Sequence, residues 1–385
     1  MEKYLDEAVK IRELIHMYPE GGFNEVRTAK IVADTLRNLG ITVTENVAKT
    51  GVIGLLRGAK PGKTILLRAD MDALQLQELA DVPYKSKIDS MMHACGHDGH
   101  TAGLLGTAMI LSEHKDEICG NIKFMFQPAE ETTGGALPMI KEGILENPKV
   151  DAAVSGHLWG SIKSGEVHVK AGATMASPNI FTIRIIGKGG HCAIPHQAID
   201  AILVASEVIC SLQSVVSRMT NPLEPIVLSI GQIHAGHCFN VIPNEVFIEG
   251  TVRVLERDSA SRIKNQMEQI ISGITKAYGA TYEFKFDTIF PPVINDEKMA
   301  ELVQASARKV VGKDKVFTLS EPSMGGEDFS YLGENVPSAF FFVGIAEEQV
   351  LIHHNPYFCW DSKICFELSK CLAQITLDYL NGKEI

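Results

Sequence analysis

Three short apolar runs in the first half of the chain each stop on ionisable residues: TILLRAD at 64 to 70, NIKFMFQ at 121 to 127 with PAEE after it, and VDAAVSGH at 150 to 157. With VIGLLRG at 52 to 58 they have the length and apolar content of strands. Helical periodicity lies between the later runs, most clearly over Thr101 to His114, where Leu104, Ala108 and Leu111 share a face. Strands alternating with helices predict an α/β fold with a mixed, largely parallel sheet. In such sheets ligands bind beyond the carboxyl ends of the strands, so these polar residues are expected to converge. A further run, SAFFFVGI at 338 to 345, leads into the loop bearing His353 and His354.

At 385 residues the chain exceeds what one hydrophobic core usually holds. From Ile180 onward the order is strand, helix (Ile199 to Met219), strand, strand, helix (Ser259 to Tyr278, with Asp258 as its N-cap) and strand. That βαββαβ order is the ferredoxin-like arrangement. Residues 179–289 therefore read as an inserted domain, and 1–178 with 290–385 as a discontinuous first domain. Periodic helices at Glu2 to Tyr18 and Asn24 to Leu39 open the chain. No apolar run reads as long enough to span a bilayer, and the N-terminus interleaves charges with its apolar residues, unlike a secretory leader. Eight cysteines without a CxxC pair read as reduced, buried thiols, and a cytoplasmic location is expected. A formal charge of -11 argues against nucleic acid as a partner, since such binding needs basic surface.

The octapeptide HACGHDGH, His93 to His100, crowds three imidazoles, a thiol and a carboxylate together. Core packing does not call for that density of metal donors. Cys95 and His97 can reach one ion if the backbone between them is extended. The adjacent carboxylates Glu130 and Glu131 suit two tasks, one holding a metal and the other carrying a proton, which is what metal-assisted hydrolysis requires. Two ions that share one bridging ligand, each with three protein ligands, need five side chains. Cys95, His97, Glu131, His157 and His354 make five and leave each ion an open position, as catalytic rather than structural sites do.

The segments RADMDALQLQE, MHACGHDGHTA, FQPAEE, GHLWG, GGHCAIPH, FNVIPNEVFIEGTVR, GGEDFSYL and HHNPYF together resemble the motif set of the binuclear-metal aminoacylase, hippurate-hydrolase and auxin-conjugate amidohydrolase family, over nearly the whole chain. The resemblance implies hydrolysis of the amide of an N-acyl amino acid, with acetyl as the expected acyl group, by a homodimer with two divalent ions per subunit. Zinc, manganese, cobalt and nickel all suit such a donor set. By the same resemblance Cys95 bridges the ions, His97 and His157 complete one, and Glu131 and His354 the other. Glu130 becomes general base and acid, and Asp72 orients a ligand imidazole. His191, on the inserted domain that pairs subunits, would stabilise the oxyanion in the partner's site, with Asn240 as a second contact and Arg253 for the substrate carboxylate. Tyr18, Gly21, Gln75 and Gly326 depart from the family pattern, and the segments of Tyr18, Gly21 and Gly326, expected near the cleft, leave the acyl preference open. A carboxypeptidase or dipeptidase on the same scaffold is the alternative, because a short peptide presents the same amide and carboxylate.

Overall fold

A computed structural model describes residues 2–382. In chain order the elements are α1 (Glu2–Met17), α2 (Val26–Asn38), β1 (Thr42–Val47), β2 (Gly51–Arg57), β3 (Lys60–Asp70), α3 (His97–Glu113), β4 (Cys119–Gln127), α4 (Ala136–Lys141), β5 (Ala152–Lys163), β6 (Val167–Val169) and β7 (Gly172–Met175). They continue with β8 (Ser177–Ile186), β9 (Gly190–His191), α5 (Ala201–Arg218), β10 (Ile226–Ala235), β11 (Val241–Ile242), β12 (Glu245–Val254), α6 (Ser259–Tyr278) and β13 (Thr281–Thr288). The chain closes with β14 (Val293–Asn295), α7 (Glu297–Val311), β15 (Val316–Thr318), α8 (Ser330–Gly333), β16 (Ser338–Ala346) and α9 (Ile364–Leu380).

The chain forms two compact units, one of Met1–Thr174, Ile294–Glu321 and Asp328–Ile385, the other of Met175–Val293 with Pro322–Glu327. That last segment is one the sequence places in the first domain. The first unit is built on an eight-stranded sheet in the order β1-β2-β4-β3-β5-β16-β6-β15. Its centre is parallel, β4 with β3, β3 with β5, and β5 with β16, while β1 and β2 add an antiparallel edge. The parallel strands are buried along most of their length, as a sheet covered on both faces requires. Helix α3 is buried from His97 to Leu111, deeper than an amphipathic surface helix. Gly103 and Gly106 let α9 close on it: a Cβ on Gly106 would stand 2.4 Å from Ser369 Oγ.

In the second unit an antiparallel sheet, ordered β10-β12-β8-β13, carries α5 and α6, and its strand connectivity is the ferredoxin-like one read from the sequence. Asp200 caps α5 by accepting from Ile202 and Leu203 N–H, whereas Asp258 makes no such side-chain bond at the start of α6. By length and composition alone α5 is apolar enough to cross a membrane, which the sequence reading had excluded for every run. Its buried residues, among them Val204, Val208, Leu212 and Val215, belong to the core of this unit. The cysteines also divide otherwise than expected: all eight are free, but Cys192, Cys210 and Cys238 are exposed.

Candidate metal centre

The ends of β3 and β4, the middle of β5, the start of α3 and the loop after β16 bring Asp70, Glu130, Glu131, His157, His97 and His354 together with Cys95. Cys95 does not belong to an extended stretch. Gly96 sits in the left-handed region at φ 94° and His97 is the first residue of α3, so a tight turn rather than strand alternation sets the thiol beside the imidazole. His157 lies inside β5, opposite Phe342 of β16, because β5 runs on past the expected strand end to Lys163. His354 adopts the left-handed region at φ 58°, as does Ala129 at φ 57° just before Glu130. Such backbone costs about 1–3 kcal/mol for a residue other than glycine and persists where surrounding bonds hold it. Those bonds are present: His354 N–H donates to Ala94 O at 2.9 Å, and Ala129 N–H to Glu25 Oε1 at 2.9 Å.

Ligand-capable atoms of Cys95, His97 and His157 lie within 4.8 Å of one another, and so do those of Cys95, Glu131 and His354. The two triads share only the sulfur. Cys95 Sγ is 3.7 Å from His157 Nε2, and His354 Nε2 is 3.1 Å from Glu131 Oε1. Glu130, buried, forms a third group within the same span with His97 and Glu131.

Backbone acceptors fix which ring nitrogens face this cluster. His97 Nδ1 donates to Asp72 O at 2.9 Å and His157 Nδ1 to Leu158 O at 2.8 Å, which turns Nε2 of each ring toward the shared site. The Asp72 carboxylate accepts from Glu130 N–H through Oδ1 and from Glu131 N–H through Oδ2, each at 3.0 Å. Together with Glu25, two buried carboxylates thus hold three successive backbone N–H groups, 129 to 131. Glu25 also accepts from Thr50 Oγ1 at 2.5 Å. Its sequence neighbourhood, at the start of a helix, gives no sign of this task.

Beneath the cluster, His100 accepts from Leu158 N–H at Nε2, 2.9 Å, and donates from Nδ1 to Asp70, 2.7 Å, so both its nitrogens are used. Arg68 bonds Asp70 at 2.7 Å and Asp328 at 3.0 Å. On the other side, Arg12 and His16 of α1 each lie 2.7 Å from Asp98 Oδ2, next to His97, and the Arg12 guanidinium packs over Tyr84 and Trp360 at 4.3 and 4.4 Å. This buried ion cluster ties α1 to the first turn of α3, where His97 stands.

The electrostatics call for a cation. Burial opposes charge on His97, yet Asp70, Asp72 and Glu131 raise it to about 10. Burial pushes the Cys95 thiol well above its ordinary range, and Glu131, Glu130 and Asp70 push it further. Burial, with His100 and His353 nearby, holds His157 well below its ordinary value, leaving a neutral ring. A buried thiol among carboxylates becomes a thiolate only beside positive charge, and neutral imidazole with thiolate and carboxylate is a donor set that suits divalent first-row metals. The residues therefore fit a metal pair.

The remaining site candidates lie in the second unit. His191 on β9 faces Val241 of β11, and Cys192 N–H donates to Asn240 O at 3.2 Å, so His191 and Asn240 are neighbours and both are exposed. Arg253 is elsewhere in this unit. It sits near the far end of β12, opposite Val227 and Pro178, whereas β9 and β11 adjoin the beginning of β12, where Gly187 N–H donates to Asn244 O. Eight residues of strand separate Glu245 from Arg253, about 26 Å. His353, which the sequence marks only as part of a loop, approaches Cys95 Sγ to 3.8 Å.

A cluster of imidazole, thiol and carboxylate donors beside a largely parallel sheet fits a metal-dependent hydrolase. The model of peptidase family M20/M25/M40 matches residues 66–376, and the chain belongs to that family. It is 47% identical over 290 residues, 75% of this chain and 78% of the relative, to the N-acyl-L-amino acid amidohydrolase of Geobacillus stearothermophilus. It is 40% identical over 366 residues, 93% of this chain and 92% of the relative, to thermostable carboxypeptidase 1 of Saccharolobus solfataricus. Among solved structures it is similar to the YXEP protein of Bacillus subtilis, a dinuclear metal binding peptidase of the M20 family, with a TM-score of 0.88 at 33% identity over 99% of both chains.

Proposed function

We propose that the protein hydrolyses the amide of N-acyl amino acids, with N-acetyl as the acyl group, using two divalent ions bridged by Cys95. The observation that carries this is the pair of donor triads meeting at one sulfur. His97 and His157 would hold one ion, Glu131 and His354 the other, and Asp72 keeps both the His97 ring and the Glu130–Glu131 backbone in place. Ions held there would supply Lewis acidity to a water and to the amide carbonyl. Glu130 takes the proton of the attacking water and returns it to the departing amine nitrogen. Arg253 pairs with the substrate carboxylate, and His191 with Asn240 donates to the carbonyl oxygen as negative charge grows on it.

His191 acts on the partner's substrate in a homodimer. The length of β12, about 26 Å, lies between Arg253 and the strand start that the His191 segment adjoins, more than an acylated amino acid spans, which supports His191 and Arg253 reaching one substrate from two copies. The second unit has a surface suited to pairing: β10 is an edge strand, and Ile233, Val241 and Phe239 are 53%, 52% and 96% exposed. The mixed thiolate, imidazole and carboxylate donors admit zinc, manganese, cobalt and nickel alike as candidates.

The relatives include both an amidohydrolase and a carboxypeptidase, so substrate preference is the test. Metal-reconstituted protein is assayed with N-acetyl amino acids and with unblocked dipeptides of the same C-terminal residue. Faster turnover of the acetylated series is expected, and a preference for dipeptides would move the activity to the peptidase alternative.

A further inference from the structure

We propose that His353 is a positioning residue that donates its Nδ1 proton to the Cys95 sulfur and is not a metal ligand; the inference rests on the reading of Cys95 as the bridging thiolate. Distance alone does not separate His353 from a ligand. Its Nδ1 stands 3.8 Å from Sγ, and His157 Nε2 stands 3.7 Å from the same atom. The opposite nitrogen of each ring decides. His157 Nδ1 meets the carbonyl of Leu158, which only accepts, so that nitrogen carries hydrogen and a lone pair on Nε2 faces the sulfur. His353 Nε2 receives the N–H of Gly160 at 3.0 Å, which only donates, so Nε2 is the bare nitrogen and the ring hydrogen sits on Nδ1. Two imidazoles therefore meet one sulfur with opposite polarity.

The ring is not free to exchange these roles. It lies between Trp159 and Phe358, with centroids 4.8 and 4.9 Å away and planes tilted by 36° and 37°. The donor is fixed as well: Gly160 O accepts from Leu351 N–H at 2.7 Å, and a Cβ on Gly160 would stand 2.0 Å from Leu351 O, so no other residue fits this close approach. A hydrogen bond to the thiolate draws electron density from the sulfur that two ions share. It also gives the sulfur a set direction. Outer partners of this kind orient ligands and tune the metal they bind.

The test uses cobalt(II)-loaded protein, whose sulfur-to-cobalt charge-transfer absorption reports the electron density on the thiolate. Three variants separate the functions of the ring. His353→Asn retains an N–H where Nδ1 stood, His353→Gln retains an acceptor for Gly160 but no donor to sulfur, and His353→Phe removes both. The band is expected at longer wavelength in the Gln and Phe variants and near its original position in Asn, with two cobalt ions retained in all. At full cobalt occupancy kcat should fall about 10- to 100-fold in Gln, with recovery in Asn. Loss of one cobalt equivalent in the Gln variant would make His353 a ligand and overturn the inference. So would an unmoved band in Gln, or equal shifts in Asn and Gln. A wild-type protein that binds two cobalt ions without any sulfur-to-cobalt band overturns the Cys95 reading itself, which distinguishes that failure from the others.

Discussion

Glu130→Gln is expected to retain both metal ions and to lose at least about a hundredfold in kcat, the usual scale of general base catalysis. The change is nearly isosteric, and Asp72 binds residue 130 through its backbone N–H, so the local fold has no reason to shift. The two triads that meet at the Cys95 sulfur include Glu131 and not Glu130. What is lost is a basic oxygen beside His97 and Glu131. Metal analysis and steady-state kinetics on the same sample check this together: metal content near that of the parent with a collapsed kcat supports the assignment, and near-parental turnover would remove it.

The second large effect is restoration rather than loss. His191→Ala is expected to keep its metals and turn over slowly, and Glu130→Gln is nearly inactive alone. If His191 serves the partner's site, randomly mixed subunits regenerate one intact site in every heterodimer, about a quarter of the parental activity in an equal mixture. Unfolding the two variants together and refolding them permits the exchange. Activity of the mixture equal to the mean of its components would confine His191 to its own chain.

Much of this arrangement was legible in the sequence because chemistry and secondary structure coincide there. RAD and QPAEE mark strand ends through a sharp change from apolar to ionisable residues, and HACGHDGH stands out against any packing explanation. The α/β layer and the ferredoxin-like second unit followed from periodicity alone. Harder to read was the route by which donors meet. Cys95 and His97 were expected on an extended segment, but a left-handed glycine followed by a helix start brings them together, and a glycine in sequence does not disclose which sign of φ it takes.

The roles of individual nitrogens were beyond reach for a different reason. Whether His157 offers a lone pair and His353 a proton depends on Leu158 O and Gly160 N, and the second of these lies 193 residues away along the chain. Glu25 was equally silent, since its bond to Ala129 N–H spans 104 residues and leaves no local pattern. Strand β1 is also silent: TVTENV alternates too weakly to announce a strand, whereas VIGLLRG beside it reads as one.

Two ions meeting at one sulfur are the core of the proposed chemistry. Anomalous diffraction from crystals of the manganese- or zinc-loaded protein measures this directly. Two anomalous peaks per chain are predicted, both within bonding distance of Cys95 Sγ, one also touching His97 and His157 and the other Glu131 and His354. A single peak, or a pair that leaves Cys95 outside the coordination of either ion, would contradict it.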